Sequence, residues 1–278
     1  MPRKSEADEL EALLEKGMRL PAQPQVVVEI QQLLAAEEPD VRKITQILAR
    51  DPGIVAMLFK LVSTPAYGGR RIDSLTKAVQ LVGVRQIANL VRGIALTMTV
   101  PGVKQPIYDK FWRRCTGIAE FAAGIAAERI SVCNIFPDQA YLAGIFHDCG
   151  VPMLLERFPD YCAALRTGTG QWIDVIAEDQ RFDVDHAVVG YLIARHWRLP
   201  DFIAEAVLKH HEMPPADIGG AARSMVAILQ LANELYHREQ LIPNPEWPNQ
   251  CHAVMAELCI HEGELESFMD DLLESTYA

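Results

Sequence analysis

Apolar residues recur at every third or fourth position along almost the whole chain, and no run shows the every-second-residue alternation of a half-buried strand. This periodicity constrains the fold more than any other feature: it predicts an all-α protein of short helices packed at angles. In PDVRKITQILARDPGIVAMLFKLVS, Asp40 stands where an N-cap is needed before the apolar face Val41, Ile44, Ile47 and Leu48. Asp51-Pro52 then gives the next helix an N-cap followed by proline at its first position, with Ile54, Val55, Leu58, Phe59 and Val62 on the core face. Ser74 repeats the device before LTKAVQLVG, Gly83 breaks that helix, and VRQIANLVRGIALTM resumes it.

The pattern continues to the end of the chain. The N-terminal segment 1–19 holds a Ser5-initiated amphipathic helix that ends near Gly17, and the proline- and glycine-bearing TVPGVKQPIYDK separates an N-terminal helical half, 20–105, from a second half, 106–278. In the second half, helices are expected at 111–130, 138–149, 171–179, 186–197, 200–211 and 220–238, with two more near the C-terminus beyond a loop marked by Pro243, Pro245 and Pro248. With 278 residues, 50% of them hydrophobic, the chain can bury a sizeable core, for which Trp112, Trp172 and Trp197 are the natural anchors.

No stretch is apolar for long enough to cross a bilayer, and the N-terminus lacks the apolar core of a signal peptide, so a soluble, cytoplasmic protein without a membrane partner is expected. The six cysteines form no CxxC pair and read as reduced thiols. A formal charge of −11 removes any bulk attraction to phosphate backbones and makes nucleic acid an unlikely partner. A helix-turn-helix around Gly83, with Arg85 and Arg92 as partner or nucleic-acid contacts, competes with the reading of that segment as ordinary packing. The second helix is apolar around most of its circumference, which favours packing.

The chemistry concentrates in the second half. In AYLAGIFHDCG, the adjacent His147 and Asp148 end an apolar helix, an arrangement that needs either a bound cation or a paired polar cluster. His186 in VDHAVVGYLIARHW and the pair His210-His211 in VLKHHE lie at helix ends that could converge on it. At the end of a helix, His210 and His211 could equally serve as charges complementing its dipole. His196, His237, His252 and His261 have no linking spacing and read as surface or satisfied histidines.

These residues carry a resemblance. From LPAQPQVVVEI through ILARDPGIVAMLFKLVSTPAYGG and SLTKAVQLVGVRQIANLV to FDVDHAVVGYLIARHWRLPDFIAEAVLKHHE, the chain resembles the HDOD domain proteins, a signalling branch of the HD superfamily of metal-dependent phosphohydrolases. The resemblance implies an N-terminal helical bundle packed on an HD-like helical bundle, over residues 20–278. Catalytic members of the superfamily have a first histidine, the HD pair and a late aspartate. In FWRRCTGIAEFAAGIA the first histidine's position holds Arg114, which stays charged and cannot ligate a metal, and in MVAILQLANELYH the aspartate's position holds Asn233. Val151 stands where the cyclic-dinucleotide phosphodiesterase branch has a lysine, that branch's GYP motif is missing from HHEMPPADIGG, and Ser63-Thr64 replaces the family's asparagine-serine pair.

The resemblance therefore implies a vestigial site of Arg114, His147, Asp148 and Asn233. The expected function is that of a non-catalytic bacterial regulatory protein acting through signalling proteins or a small ligand, with no cofactor. Arg114 is expected to replace the metal electrostatically by pairing with Asp148. The rival is a phosphohydrolase acting on a nucleotide or cyclic dinucleotide, with a residual divalent metal on His147, Asp148, His186 and His210.

Overall fold

The computed structural model describes residues 17–18, 20–36, 39–69, 72, 74–99, 106–158, 160–161, 175–213 and 220–276. Among these there is no strand. The N-terminal half comprises α1 (Gln25–Leu34), α2 (Val41–Leu48), α3 (Pro52–Val62), a 3-10 turn at Pro65–Tyr67, α4 (Leu75–Val82) and α5 (Val84–Thr99). The second half comprises α6 (Pro106–Glu128), α7 (Ile130–Cys133), α8 (Pro137–Phe146), α9 (Val151–Arg157), α10 (Val175–Phe182), α11 (His186–His196), α12 (Asp201–Lys209), α13 (Gly220–Glu239), α14 (Trp247–Glu257) and α15 (Leu265–Thr276).

The expected caps at Asp40 and Asp51 form. Asp40 accepts from the backbone N–H groups of Arg42 and Lys43, and Asp51 from those of Gly53 and Ile54, so each carboxylate satisfies two donors that a helix start leaves unpaired. Ser74 precedes α4 but its side chain makes no capping bond. Gly83 separates α4 from α5 with a φ of 101°, a conformation that strains any residue bearing a Cβ.

Several expected boundaries move, among them the end of the helix predicted over 171–179, which lies at Phe182. The helix predicted from residue 111 begins at Pro106, because a proline in the first turn lacks only an N–H that has no partner there anyway. The helix predicted over 138–149 ends at Phe146; the Cys149 N–H bonds the Phe146 carbonyl, the chain turns, and α9 follows as a separate helix. The helix predicted over 200–211 ends at Lys209. The Ser5 helix, the boundary residues 101–105, Cys162, Trp172 and the start of the helix predicted at 171 lie outside the described residues.

One hydrophobic cluster extends from Met18 to Leu272 through both halves. At its centre α8 packs against α6 on one side and α5 on the other, and α13 packs along α6. Asn89 of α5 donates to the buried Asp138 of α8 at 2.7 Å, a polar tie across this contact. Trp197 is fully buried, edge-on to Phe146, and its indole N–H donates to the Pro21 carbonyl at 2.8 Å, anchoring the segment before α1 to the second half. Trp112 is only partly buried against the core.

The helix-turn-helix alternative is not supported. Ile87, Leu90, Val91, Ile94 and Leu96 bury one side of α5 in the protein. Arg85 is exposed, but Arg92 is partly buried, bonds Asn89 at 3.1 Å and has its pKa lowered by burial, so the two arginines do not form one free basic face. Cys115, Cys133, Cys149, Cys251 and Cys259 are free thiols, as expected.

Candidate functional site

Five elements of the second half deliver side chains to one buried centre. Arg114 projects from α6, His147 and Asp148 from the turn after α8, His186 from the first residue of α11, His210 and His211 from the turn after α12, and Asn233 from α13. Gly150 lets the turn after α8 approach α11 closely: a Cβ there would lie 2.2 Å from the His186 carbonyl oxygen. That proximity places His186 beside Asp148.

Asp148 divides the centre in two. Its Oδ2 accepts a short, charge-assisted hydrogen bond from Arg114 Nη1, so the two do pair. The same nitrogen lies 3.2 Å from His147 Nε2, and Arg114 Nη2 donates to Asn233 Oδ1 at 2.9 Å. The guanidinium thus contacts His147, Asp148 and Asn233 together. His147 Nδ1 donates to the Gly144 carbonyl at 2.6 Å, leaving Nε2 as the acceptor that faces Arg114. Burial, reinforced by the neighbouring His210 and Arg114, lowers the His147 pKa despite Asp148. Burial alone would raise the Asp148 pKa, but His147 and Arg114 beside it hold the carboxyl well below its usual range.

Across Asp148 stand the other histidines. Asp148 Oδ1 lies 3.4 Å from His186 Nε2 and 3.3 Å from His210 Nε2, and His186 Nε2 lies 2.9 Å from His211 Nε2 and 3.4 Å from His210 Nε2. Each Nδ1 is engaged behind the cluster: His186 with Glu178 Oε2 at 2.7 Å, His210 with the Val207 carbonyl at 2.7 Å, and His211 with Glu246 Oε1 at 2.8 Å. Three imidazoles therefore turn the same nitrogen, Nε2, toward one point.

These donors fit a metal ion. Asp148, His186, His210 and His211 each offer a ligand atom within 4.8 Å of the others. Four of the six separations, those of His186 from His210 and His211 and of Asp148 from His186 and His210, are 2.9 to 3.4 Å, close to the spacing of about 3.3 Å that four ligands around a cation at about 2.0–2.1 Å require. Nitrogen-rich donation with one carboxylate suits a borderline transition cation such as zinc, iron or manganese. A second grouping of Cys115, His147 and Asp148 does not fit, because the guanidinium already lies against His147 and Asp148, and burial holds the Cys115 thiol protonated.

The cluster differs in one member from the expected metal set of His147, Asp148, His186 and His210. His147 faces the guanidinium, and His211 takes its place beside Asp148, His186 and His210. On a continuous helix, successive residues diverge by about 100°. Because α12 ends at Lys209, His210 and His211 lie in a turn and can converge; neither is a charge on a solvated helix end.

Without a cation, a proton can hold the cluster together. Burial opposes a charge on His186, yet Glu178 and Asp148 raise its pKa to about 10, whereas burial and the neighbouring His210 lower that of His211 to about 4. A protonated His186 then donates from Nε2 to the neutral His211.

The centre opens into a cavity of about 590 Å³ whose walls include Tyr161, Gln230, His237 and Asn244. Several of the supports carry no mark in the sequence. Glu178 is fully buried, and Gln230 and Gln250 donate to the carbonyls of His210 and His211 at 3.0 and 3.1 Å. His237 is buried, bonds the Asn233 carbonyl at 2.8 Å and lines the cavity, so it is satisfied as expected but belongs to the site. His196, His252 and His261 are exposed and are not among the residues that line the cavity.

Among the described residues, no helix is long and apolar enough to cross a membrane. An uncharacterized protein of Treponema pallidum (strain Nichols) is 26% identical over 206 residues, which cover 71% of this chain and 38% of that protein, so the chain spans well under half the length of its relative. The fold is shared with an HDOD domain protein of unknown function from Geobacter sulfurreducens, 23% identical with a TM-score of 0.67 over 98% of this chain and 96% of the other. It is shared equally with a proposed metal-dependent phosphohydrolase from Shewanella amazonensis SB2B, 18% identical with a TM-score of 0.74 over 98% and 95% of the two chains. The HDOD domain profile matches residues 20–213 of this chain, which therefore belongs to the HDOD domain family.

Proposed function

We propose that this chain is a non-hydrolytic regulatory HDOD protein of a bacterial signalling system, acting in the cytoplasm through a protein partner or a small ligand held in the cavity beside Asp148. One observation carries the reading: the Arg114 guanidinium contacts His147, Asp148 and Asn233 together. A permanently charged group at that position repels a cation beside His147 and satisfies the Asp148 carboxylate. The cavity can accept a ligand, and helices from both halves meet around α8, giving a ligand-induced shift a route through packed elements.

The second reading is a metal-dependent phosphohydrolase, favoured by the Asp148, His186, His210 and His211 cluster. A divalent cation held there would supply Lewis acidity and lower the pKa of bound water. In that reading Glu178 and Glu246 orient His186 and His211, and Arg114 lies close enough to Asp148 to hold an anionic substrate nearby.

The test is hydrolysis of bis(p-nitrophenyl) phosphate by protein loaded with Mn(II), Fe(II) or Zn(II). The regulatory reading expects no rate above that of the metal alone. Turnover that disappears in His210→Ala would establish the enzyme instead.

A further inference from the structure

Behind the histidine cluster lies a support that neither the HD pair nor the histidines foretell. Glu178 sits on α10 with no exposed surface. Its Oε1 accepts a short hydrogen bond from the Tyr161 hydroxyl, and its Oε2 accepts from both the backbone N–H of His186 at 2.8 Å and His186 Nδ1 at 2.7 Å. One carboxylate therefore fixes where α11 begins, which way the His186 ring faces and which ring nitrogen carries the outward hydrogen. The other nitrogen, Nε2, is left facing Asp148, His210 and His211.

A buried carboxylate is unfavourable unless its lone pairs are satisfied. Three donors from two separate segments satisfy this one, which is more than packing α10 onto α11 requires. His210 by contrast is oriented only by a carbonyl, and His211 by Glu246, whose side chain is 34% exposed. Of the three imidazoles, His186 has the most rigid support.

We propose that Glu178 is the positioning residue that sets the affinity of the Asp148, His186, His210 and His211 cluster for a divalent transition metal, with Tyr161 fixing Glu178 in turn. This rests on the second reading's premise that the cluster holds a cation, and does not require hydrolysis. Carboxylate–histidine pairs of this kind fix the tautomer and raise ligand basicity, and their loss typically lowers metal affinity by about 10–100-fold. Tyr161 also lines the cavity, so whatever contacts its ring lies one hydrogen bond from the support of His186.

The experiment titrates Co(II) into chelator-treated protein, reading the visible absorption of the bound ion for coordination and the isotherm for affinity. The parent chain is expected to bind one Co(II) with the intense visible bands of a four-coordinate site, and His186→Ala to lose them. Glu178→Gln keeps the side chain's size and can still accept from His186 and donate to the Tyr161 oxygen, so it tests charge and basicity with the fold intact. It should bind about 10–100-fold more weakly, with the metal-free unfolding midpoint recorded alongside, and Tyr161→Phe should lie between it and the parent.

If Glu178→Gln and Tyr161→Phe both bind as the parent does, the proposal falls while the metal site stands. A lower metal-free midpoint with unchanged affinity would also overturn it, by reducing Glu178 to a structural role. No Co(II) uptake by the parent chain would remove the metal premise and the proposal together.

Discussion

Two sides of one carboxylate have diverged. On the Oδ2 side of Asp148 a guanidinium contacts His147, Asp148 and Asn233, while on the Oδ1 side His186, His210 and His211 turn their Nε2 atoms inward. The first side carries a permanent cation supplied by the chain; the second retains donors that require either a proton or a metal. The two sides are independent in their supports: Gly144 and Asn233 on one, Glu178, Val207 and Glu246 on the other.

The most damaging change should be the one that removes the shared member. Asp148→Ala leaves Arg114 buried without its carboxylate, and breaking a buried pair in this way costs about 3–5 kcal/mol. Urea unfolding should register a loss of that size, and a loss below about 1 kcal/mol would mean that the guanidinium finds another partner.

Next in size is the attempt to make the two sides alike. Arg114→His combined with Asn233→Asp removes the fixed charge and restores an imidazole and a carboxylate where the resemblance expects them. The parent should hold about one transition metal per chain and the double variant about two, as counted by elemental analysis of protein reconstituted in excess metal. An unchanged stoichiometry would show that Arg114 is not what excludes the second ion.

A third test uses protons. His186 is raised above its unfolded value, so in chelator its charged form contributes stability that is fully present below about pH 6.5 and lost as the pH rises toward about 10. Asp148 is shifted the opposite way, and its contribution disappears only in acid, as the pH falls below about 4. The melting temperature of the metal-free protein should therefore fall between about pH 6.5 and 10, and more steeply in the parent than in Glu178→Gln. Equal slopes would place the proton elsewhere.

The smallest effect is expected from the glutamine that supports His211. Gln250→Ala frees the His211 carbonyl and should weaken Co(II) binding by no more than about tenfold while leaving Arg114 and its partners undisturbed. A larger loss would move Gln250 into the same rank as Glu178.

The fold was largely legible because its signals are local. Asp40 and Asp51 precede apolar runs and cap them, and Gly83 interrupts one helix and allows another to start. Where local signals were ambiguous, boundaries moved. Pro106 could end a loop or open a helix, and between Phe146 and Gly150 there is no glycine or proline to show that the helix stops at Phe146. The site was legible in part, through the HD pair, Arg114, His186, His210 and Asn233. Glu178, Tyr161, Gln230, Glu246 and Gln250 were not, since an isolated glutamate, tyrosine or glutamine carries no mark of the residue it will support.

By itself the sequence determined an all-α chain, the caps of its early helices, and an adjacent histidine and aspartate at the end of an apolar run. Those are properties of residue type and short-range spacing, which the chain carries before it folds. Only the tertiary structure decided that Arg114 reaches Asp148, that His211 replaces His147 in the cluster, and that a glutamate on α10 orients His186. Each depends on where a helix ends and on how closely two segments approach, as at Lys209 and Gly150, and such distances are fixed by packing the whole core, not by any one stretch of it.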